Sequence, residues 1–356
     1  MTGAPMQFDP HPSSPELNPD SFTITRRHFV RTMGAAIAGT PFLGVDGLLA
    51  GQTGDAAKTT APEPLVKQLY ESMTPTQKSK VCFDWDHKDK NGLLRQHVRA
   101  NWNITEPIVN SDFFTKDQQE KIEAIFFGHF NPSWHKKIRK QLMDDQGGYG
   151  EDQSIAIFGT PGTDQFQFVM TGRHTTVRSD GDSAEHLAFG GPIFYGHAAE
   201  EFNETAGHPG NVFWEQALKA NQVYKILDGN QRKAALIPKA PPESKIQFKK
   251  SPDQITGLQI SDMTKDQKQE MQSVLNLLIE PFRTSDQKEV KKCIEAQGGL
   301  DKCRISFYQA GDIGNDGVWD NWRLEGPSFV WHYRGAPHVH VWVNISADPH
   351  TQISAT

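Results

Sequence analysis

The chain has 356 residues, 37 Lys and Arg against 43 Asp and Glu, and a formal net charge of −6. That mixed, mildly acidic balance excludes the basic stripe of a nucleic-acid-binding protein, and no Lys/Arg-rich amphipathic helix points to a membrane surface. No run is long and apolar enough for stable membrane insertion, whereas some three hundred residues beyond the N-terminal leader suffice for a large core.

The leader is the first recognisable feature. Thr25-Arg26-Arg27-His28-Phe29-Val30-Arg31 precedes an uncharged, Ala- and Gly-rich stretch over residues 32–45, the pattern of a twin-arginine signal peptide over residues 1–50. Asp46 interrupts the apolar stretch, and no Ala-x-Ala cleavage site follows it. The signal implies the twin-arginine translocase as a partner and a periplasmic or extracellular location. That route carries folded proteins, and folding before export allows a cofactor to be loaded first. It therefore raises the expectation of a metal or redox centre. Residues 51–64 are rich in Ala, Thr, Gly and Pro and read as a flexible linker, followed by a single α+β domain over residues 65–356.

Thr74-x-x-Gln77 and Thr115-x-x-Gln118 read as capping boxes, with Pro75 at a first helical position. The second opens an amphipathic helix over residues 116–130, with Ile122, Ile125, Phe126 and His129 on one face. Residues 154–158 and 165–170 are strand-like and flank a turn over residues 159–164. The second strand alternates polar and apolar side chains, which predicts a hairpin packed on one face. A further strand is expected over residues 174–178, then helices over 212–227 and 230–237 and a Pro/Lys-rich loop over 238–250. Capping boxes at Thr264-x-x-Gln267 and Thr284-x-x-Gln287 open helices over 265–282 and 285–297. Cys293 and Cys303 are compatible with a disulfide and equally with two thiols; Cys82 is left over, as a buried apolar residue or a soft metal ligand. Strands over 304–308, 328–333 and 338–345 close the chain. The order strands, helices, strands predicts an α+β fold: an antiparallel β-sheet core with flanking amphipathic helices.

His338-Val339-His340 is the strongest site candidate. Side chains alternate across a strand, so both imidazoles face one side while Val339, Val341, Val343 and Ile345 face the core. Two such rings can converge on one metal ion of unknown identity, copper, iron or zinc. Further ligands must come from elsewhere. His174 follows Thr171-Gly172-Arg173 at a strand start, and His197 ends a glycine-bearing loop over 190–197. The metal set is therefore His174, His197, His338 and His340. His186 and His208 are loop histidines; His129 and His135 read as helix packing or surface residues, and His87 ranks lower. Glu325 is the candidate catalytic residue, as a proton carrier or a partner orienting an imidazole, with a plain salt bridge to a nearby Arg as the other reading. Walker-type loops, Gly-x-Ser-x-Gly, His-Glu-x-x-His and Cys-x-x-Cys-His are missing from the sequence.

Three functions fit these residues. The first is an exported metalloenzyme with redox activity on copper or iron, acting on a small-molecule substrate. The second is a zinc-dependent hydrolase with Glu325 as general base. The third is a non-catalytic periplasmic metal- or ligand-binding module.

The chain also resembles the bacterial domain-of-unknown-function family thirty-five hundred, especially its planctomycete-type, twin-arginine-exported members. The resemblance rests on strings such as Asn101-Trp102-Asn103-Ile104-Thr105, Phe158-Gly159-Thr160-Pro161-Gly162, Gly172-Arg173-His174, Gly191-Pro192-Ile193-Phe194-Tyr195-Gly196-His197, Trp319-Asp320-Asn321-Trp322 and Pro337-His338-Val339-His340. It implies one domain after the linker and no particular activity. Members of the wider family often carry a second His beside the one matching His174, where this chain has Arg173.

Overall fold

In the computed structural model, residues 61–351 are described apart from 182, 185, 199–211, 244, 250 and 315. The stretch read as a leader, most of the stretch read as a linker, and His208 lie outside the described residues. Among the described residues there are eight helices: α1 (Pro62–Ser72), α2 (Pro75–Val81), α3 (Lys116–Gly128), α4 (His135–Gln146), α5 (Trp214–Ile226), α6 (Gly229–Ala235), α7 (Lys265–Ile279) and α8 (Thr284–Ala296). The strands are β1 (Cys82–Phe83), β2 (Lys88–Asp89), β3 (Gly92–Leu93), β4 (Ser154–Gly159), β5 (Phe166–Gly172), β6 (Thr175–Ser179), β7 (Ile193–His197), β8 (Leu236–Ile237), β9 (Leu258–Gln259), β10 (Arg304–Tyr308), β11 (Asn321–Gly326), β12 (Phe329–Arg334) and β13 (Val339–Ile345). None of these helices is long and apolar enough to cross a membrane.

The fold is α+β, built on one sheet of 11 strands in the order β1-β4-β5-β6-β7-β13-β12-β11-β10-β8, with β9 also paired to β10. Two antiparallel meanders, β4 to β7 and β10 to β13, meet where β13 pairs with β7. Only the short additions β1 on β4 and β8 on β10 are parallel. Strand periodicity divides each strand between two faces. Ile155 and Ile157 of β4 join a core with Ile122, Ile138, Trp214, Leu275 and Val290 of the helices, whereas Ala156 and Phe158 pack on the other side with Ile104, Trp85 and Trp102. The alternating pattern of β5 therefore does not mark a solvated face. All seven of its residues are buried, and Gln167 donates from Nε2 to the carbonyl of Gly190 at 2.6 Å. Burying a polar side chain on that face requires such a partner.

The helix starts follow local chemistry. Thr74, Thr115 and Thr264 each accept from a first-turn N–H while Gln77, Gln118 and Gln267 reach back, and Asp228 with Gln231 forms a further box. The fourth expected box does not form. Thr284 is already the first helical residue of α8, Arg283 is its N-cap, and Gln287 donates instead to the Phe282 carbonyl. Helix α1 begins at Pro62, inside the stretch read as a linker. Cys293 and Cys303 are buried and Cys82 is half-buried, and none of the three is in a disulfide.

Arg283 ties three helical elements together. Its backbone N–H donates to the His129 carbonyl, its Nε to Asp286 at 2.8 Å, and its Nη2 to Glu63 of α1 at 2.7 Å. Burial opposes the charge on Glu63, but the hydrogen bonds and charge of Arg283 hold it down to about 2, from an ordinary 4.5. A carboxylate depressed in this way stabilises the fold fully above pH 4.5, and the contribution disappears as pH falls through 2. Glu63→Gln should therefore cost about 2 kcal/mol near neutral pH. Urea unfolding at several pH values should show the gap to the parent protein narrowing between pH 4.5 and 2.

Candidate functional site

The site forms where the two meanders meet. His340 lies on β13 opposite Gly196 of β7, with its side chain on the face away from the helical core. His338 is not in the strand but in the bend immediately before it. The strand reading placed both rings on one face, and the bend achieves the same end: the His338 and His340 Nε2 atoms are 2.9 Å apart. His174 arrives from the other meander. It does not start β6 but occupies the two-residue turn between β5 and β6, with φ 54°. Its backbone N–H donates to the Ala100 carbonyl at 2.8 Å. Its Nε2 lies 3.1 Å from the Nε2 of His340.

To reach His340 from that turn, the His174 ring must cross β7. It does so over Gly196. A Cβ there would overlap the Val339 carbonyl oxygen and stand 3.3 Å from two His174 ring atoms. The glycine thus opens the path for the ring and permits the close approach of β13. Phe194 closes the side of the site, edge-on to His340 with ring centroids 5.2 Å apart.

Two carboxylates orient two of the rings. His174 Nδ1 donates to Asp145 Oδ2 at 2.9 Å, and His340 Nδ1 donates to Glu243 Oε2 at 2.8 Å. Each carboxylate is itself fixed. Gln141 Nε2 and the Ala198 backbone N–H donate to Asp145; Arg334 Nη1 and Trp342 Nε1 donate to Glu243. Burial works against both carboxylate charges, yet these bonds win. Asp145 sits below the usual carboxylate range and Glu243 is held at about 2. Burial, with the neighbouring rings and Arg334, lowers His338 to about 4; burial foremost lowers His340 to about 4 despite its bond to Glu243. Those two rings are therefore neutral near pH 7.

The protons then fall short. In a neutral imidazole whose Nδ1 proton goes to a carboxylate, Nε2 is a bare lone pair. His340 therefore turns a bare Nε2 towards the Nε2 of His174, 3.1 Å away, and towards His338, which can offer at most one proton from its own Nε2. The three rings form the only such His/Cys/Asp/Glu group among the described residues whose ligand atoms, within 4.8 Å of one another, could hold a metal ion. A cation at the centre would give the three converging nitrogens one shared partner. Carboxylates on the far nitrogens are the partners that metal-bound histidines commonly have.

The other named residues stand apart from this group. His197 lies on β7 beside Gly196, and its Nε2 is 2.9 Å from Asp144 Oδ2 rather than in the cluster. Glu325 lies on β11, two strands from β13, and its register partner Val330 pairs with Asn344 rather than His340. Four residues of strand amount to about 13 Å. Its nearest charge partner is Arg323, 3.6 Å away. His135 Nε2 meets the Phe127 carbonyl, 3.0 Å away, and His129 caps α3. Asp145 and Glu243 carried no signal in the sequence, and Gly196 was marked only as one glycine of the loop over 190–197. Asp145 is 29 residues from His174 and Glu243 is 97 from His340.

Gly196→Ala should cost about 1–3 kcal/mol by overpacking. Gly229→Ala, where a Cβ meets nothing within 4 Å, should be neutral or stabilising by denaturant titration.

Comparison with known proteins places these residues in a family. The chain matches the family described as "protein of unknown function (DUF3500)" over residues 55–351, and it belongs to that family. No curated protein and no solved structure matches it.

Proposed function

We propose that this DUF3500 protein is an exported, histidine-ligated metalloprotein in which His174, His338 and His340 hold one transition-metal ion and leave at least one coordination position for a small-molecule substrate. The observation that carries the reading is the convergence of three Nε2 atoms, with the rings of His174 and His340 turned inward by Asp145 and Glu243. Three protein ligands with an open position is the pattern of catalytic rather than structural metal sites. His338 is only half-buried, so the open side faces the solvent edge.

The all-imidazole donor set narrows the metal. It suits copper, zinc and iron, and it lacks the ligand carboxylate of the common two-His iron centres. Redox chemistry on copper or iron is the first reading, and the twin-arginine leader supports it because folded export permits metal loading before transit. Zinc-dependent hydrolysis is the second reading, supported by the similarity of three converging imidazoles to catalytic zinc sites. Glu325 lies beyond direct reach of the cluster and takes no proton-transfer role in either reading. A non-catalytic metal carrier would use the same ligands.

Elemental analysis of protein matured in its native host should find about one copper, iron or zinc per chain, lost in the His338→Ala/His340→Ala double variant with the fold retained by circular dichroism. A double variant that keeps full metal occupancy would falsify the site. Glu243→Gln and Asp145→Asn should keep the ligands but weaken metal affinity by about 10–100-fold, read by competition with a chromogenic chelator. Replacing both Arg26 and Arg27 with Lys should block export; normal periplasmic accumulation would refute the leader assignment.

A further inference from the structure

The chain runs twice through the same course. Helices α1 and α2, edge strand β1, helices α3 and α4 and the meander β4 to β7 are followed by α5 and α6, edge strand β8, α7 and α8 and the meander β10 to β13. The sheet order is a palindrome about β7–β13, and β1 lies parallel to β4 at one edge as β8 lies parallel to β10 at the other. The antiparallel pairing of Gln259 with Arg304 is matched by the bridge of Ile108 with Ser154. The likeness reaches single hydrogen bonds. Gln77 and Gln118 exchange side-chain amide bonds of 2.8 and 3.2 Å, while Gln77 also donates to the Phe113 carbonyl and Gln118 to that of Ser72, the last residue of α1. Gln231 and Gln267 exchange the same bonds at 3.0 and 2.8 Å, and donate to the carbonyls of Asp262 and of Ile226, the last residue of α5. Local chemistry accounts for a capping box, but not for two boxes locked together at separations of 41 and 36 residues. At the centre, the α3–α4 and α7–α8 connections pair with each other. The Asn131 N–H donates to the Pro281 carbonyl at 2.8 Å, and the Arg283 N–H to the His129 carbonyl at 2.9 Å. Such a reciprocal contact is what a two-fold axis produces.

We infer that the domain is two copies of one module, residues 62–197 and residues 214–345, joined as the subunits of a two-fold dimer are, with β7–β13 and the paired helix connections as their interface. The two-fold gives the seam two equivalent corners, and only one of them is armed. Gly326 and Phe329 flank the β11–β12 turn as Gly172 and Thr175 flank the β5–β6 turn, so Ser328 stands where His174 does. Phe329 pairs with Ile345 as Thr175 pairs with Tyr195, so Ser346 stands where Gly196 does. The second corner thus has neither the imidazole nor the bare crossing point, and the Ser346 N–H instead donates to the Ser328 carbonyl at 2.9 Å. Among the described residues the histidine cluster has no twin, so two modules share one site. The inference does not rest on a metal at that cluster.

Exchanging the order of the modules tests this. A two-fold makes the gap from the end of β13 to the start of α1 equal to the gap from β7 to α5, which residues 198–213 bridge. A permuted chain of residues 206–356, about four Gly/Ser residues and then residues 61–205 spans the first gap with the same length and opens the second, so the loop-closure entropy is unchanged. It should unfold in one cooperative transition by circular dichroism, with a melting temperature within about 10 °C of the parent protein. Lengthening the linker to about thirty residues should bring no gain, because a longer loop costs more to close. In a fold without the two-fold, nothing relates the two gaps. A permuted chain that folds only with the longer linker, that melts more than about 10 °C below the parent, or that folds with neither linker would overturn the inference.

Discussion

The pairing of β7 with β13 is the contact on which the site depends. Each meander on its own supplies only part of the cluster. The β5–β6 turn brings His174, and the start of β13 brings His338 and His340. Their rings meet only because β7 lies between them and offers a residue without a side chain at the point of crossing. A strand shifted by one position would put Tyr195 or His197 there and turn the intervening faces over, because side chains alternate with a period of two. The apolar face of the same strands, with Tyr195, Val341 and Val343 in the helical core, resists such a shift.

The chemistry follows from how protons are shared. Buried, hydrogen-bonded carboxylates accept from the Nδ1–H groups of His174 and His340 and remain charged themselves. The inward nitrogens are then electron-rich, close together and short of hydrogen. A protein interior does not keep lone pairs facing one another without a partner. Burial discourages protonation of His338 and His340, so their protons cannot serve every inward nitrogen. The negative charges of Asp145 and Glu243 lie behind the rings and favour a cation in front of them.

Local chemistry was legible in the sequence where it acts over a few residues. Three Thr-x-x-Gln boxes, the β4–β5 hairpin and the α+β character could be read directly. Thr284 could not: its box competes with Arg283, whose side chain is held by Glu63, 220 residues away. The β5 alternation suggested a wet face because sequence does not reveal that residues 94–105 return to cover it. Strand β7 was hidden for a related reason. Its Gly190-Gly191-Pro192 lead-in and internal Gly196 resemble a loop, yet Gly196 is required by a ring from another strand. The His-x-His pair was visible, and so was His174, but the orienting carboxylates were not, since Asp145 sits near the end of α4 and Glu243 in a Pro/Lys-rich loop with no spacing that ties them to a histidine. His197 and Glu325 had the right chemistry and stand elsewhere in the sheet. The stretch read as a leader lies outside the described residues, and that reading rests on residues 25–31 and the uncharged run after them.

X-ray absorption spectroscopy at the edge of the metal found in the native protein tests the central claim most directly. The account predicts a first shell with three imidazole nitrogens at about 2.0 Å, reduced in His174→Ala. A shell of sulfur or of oxygen alone, or native protein that carries no transition metal, would contradict it.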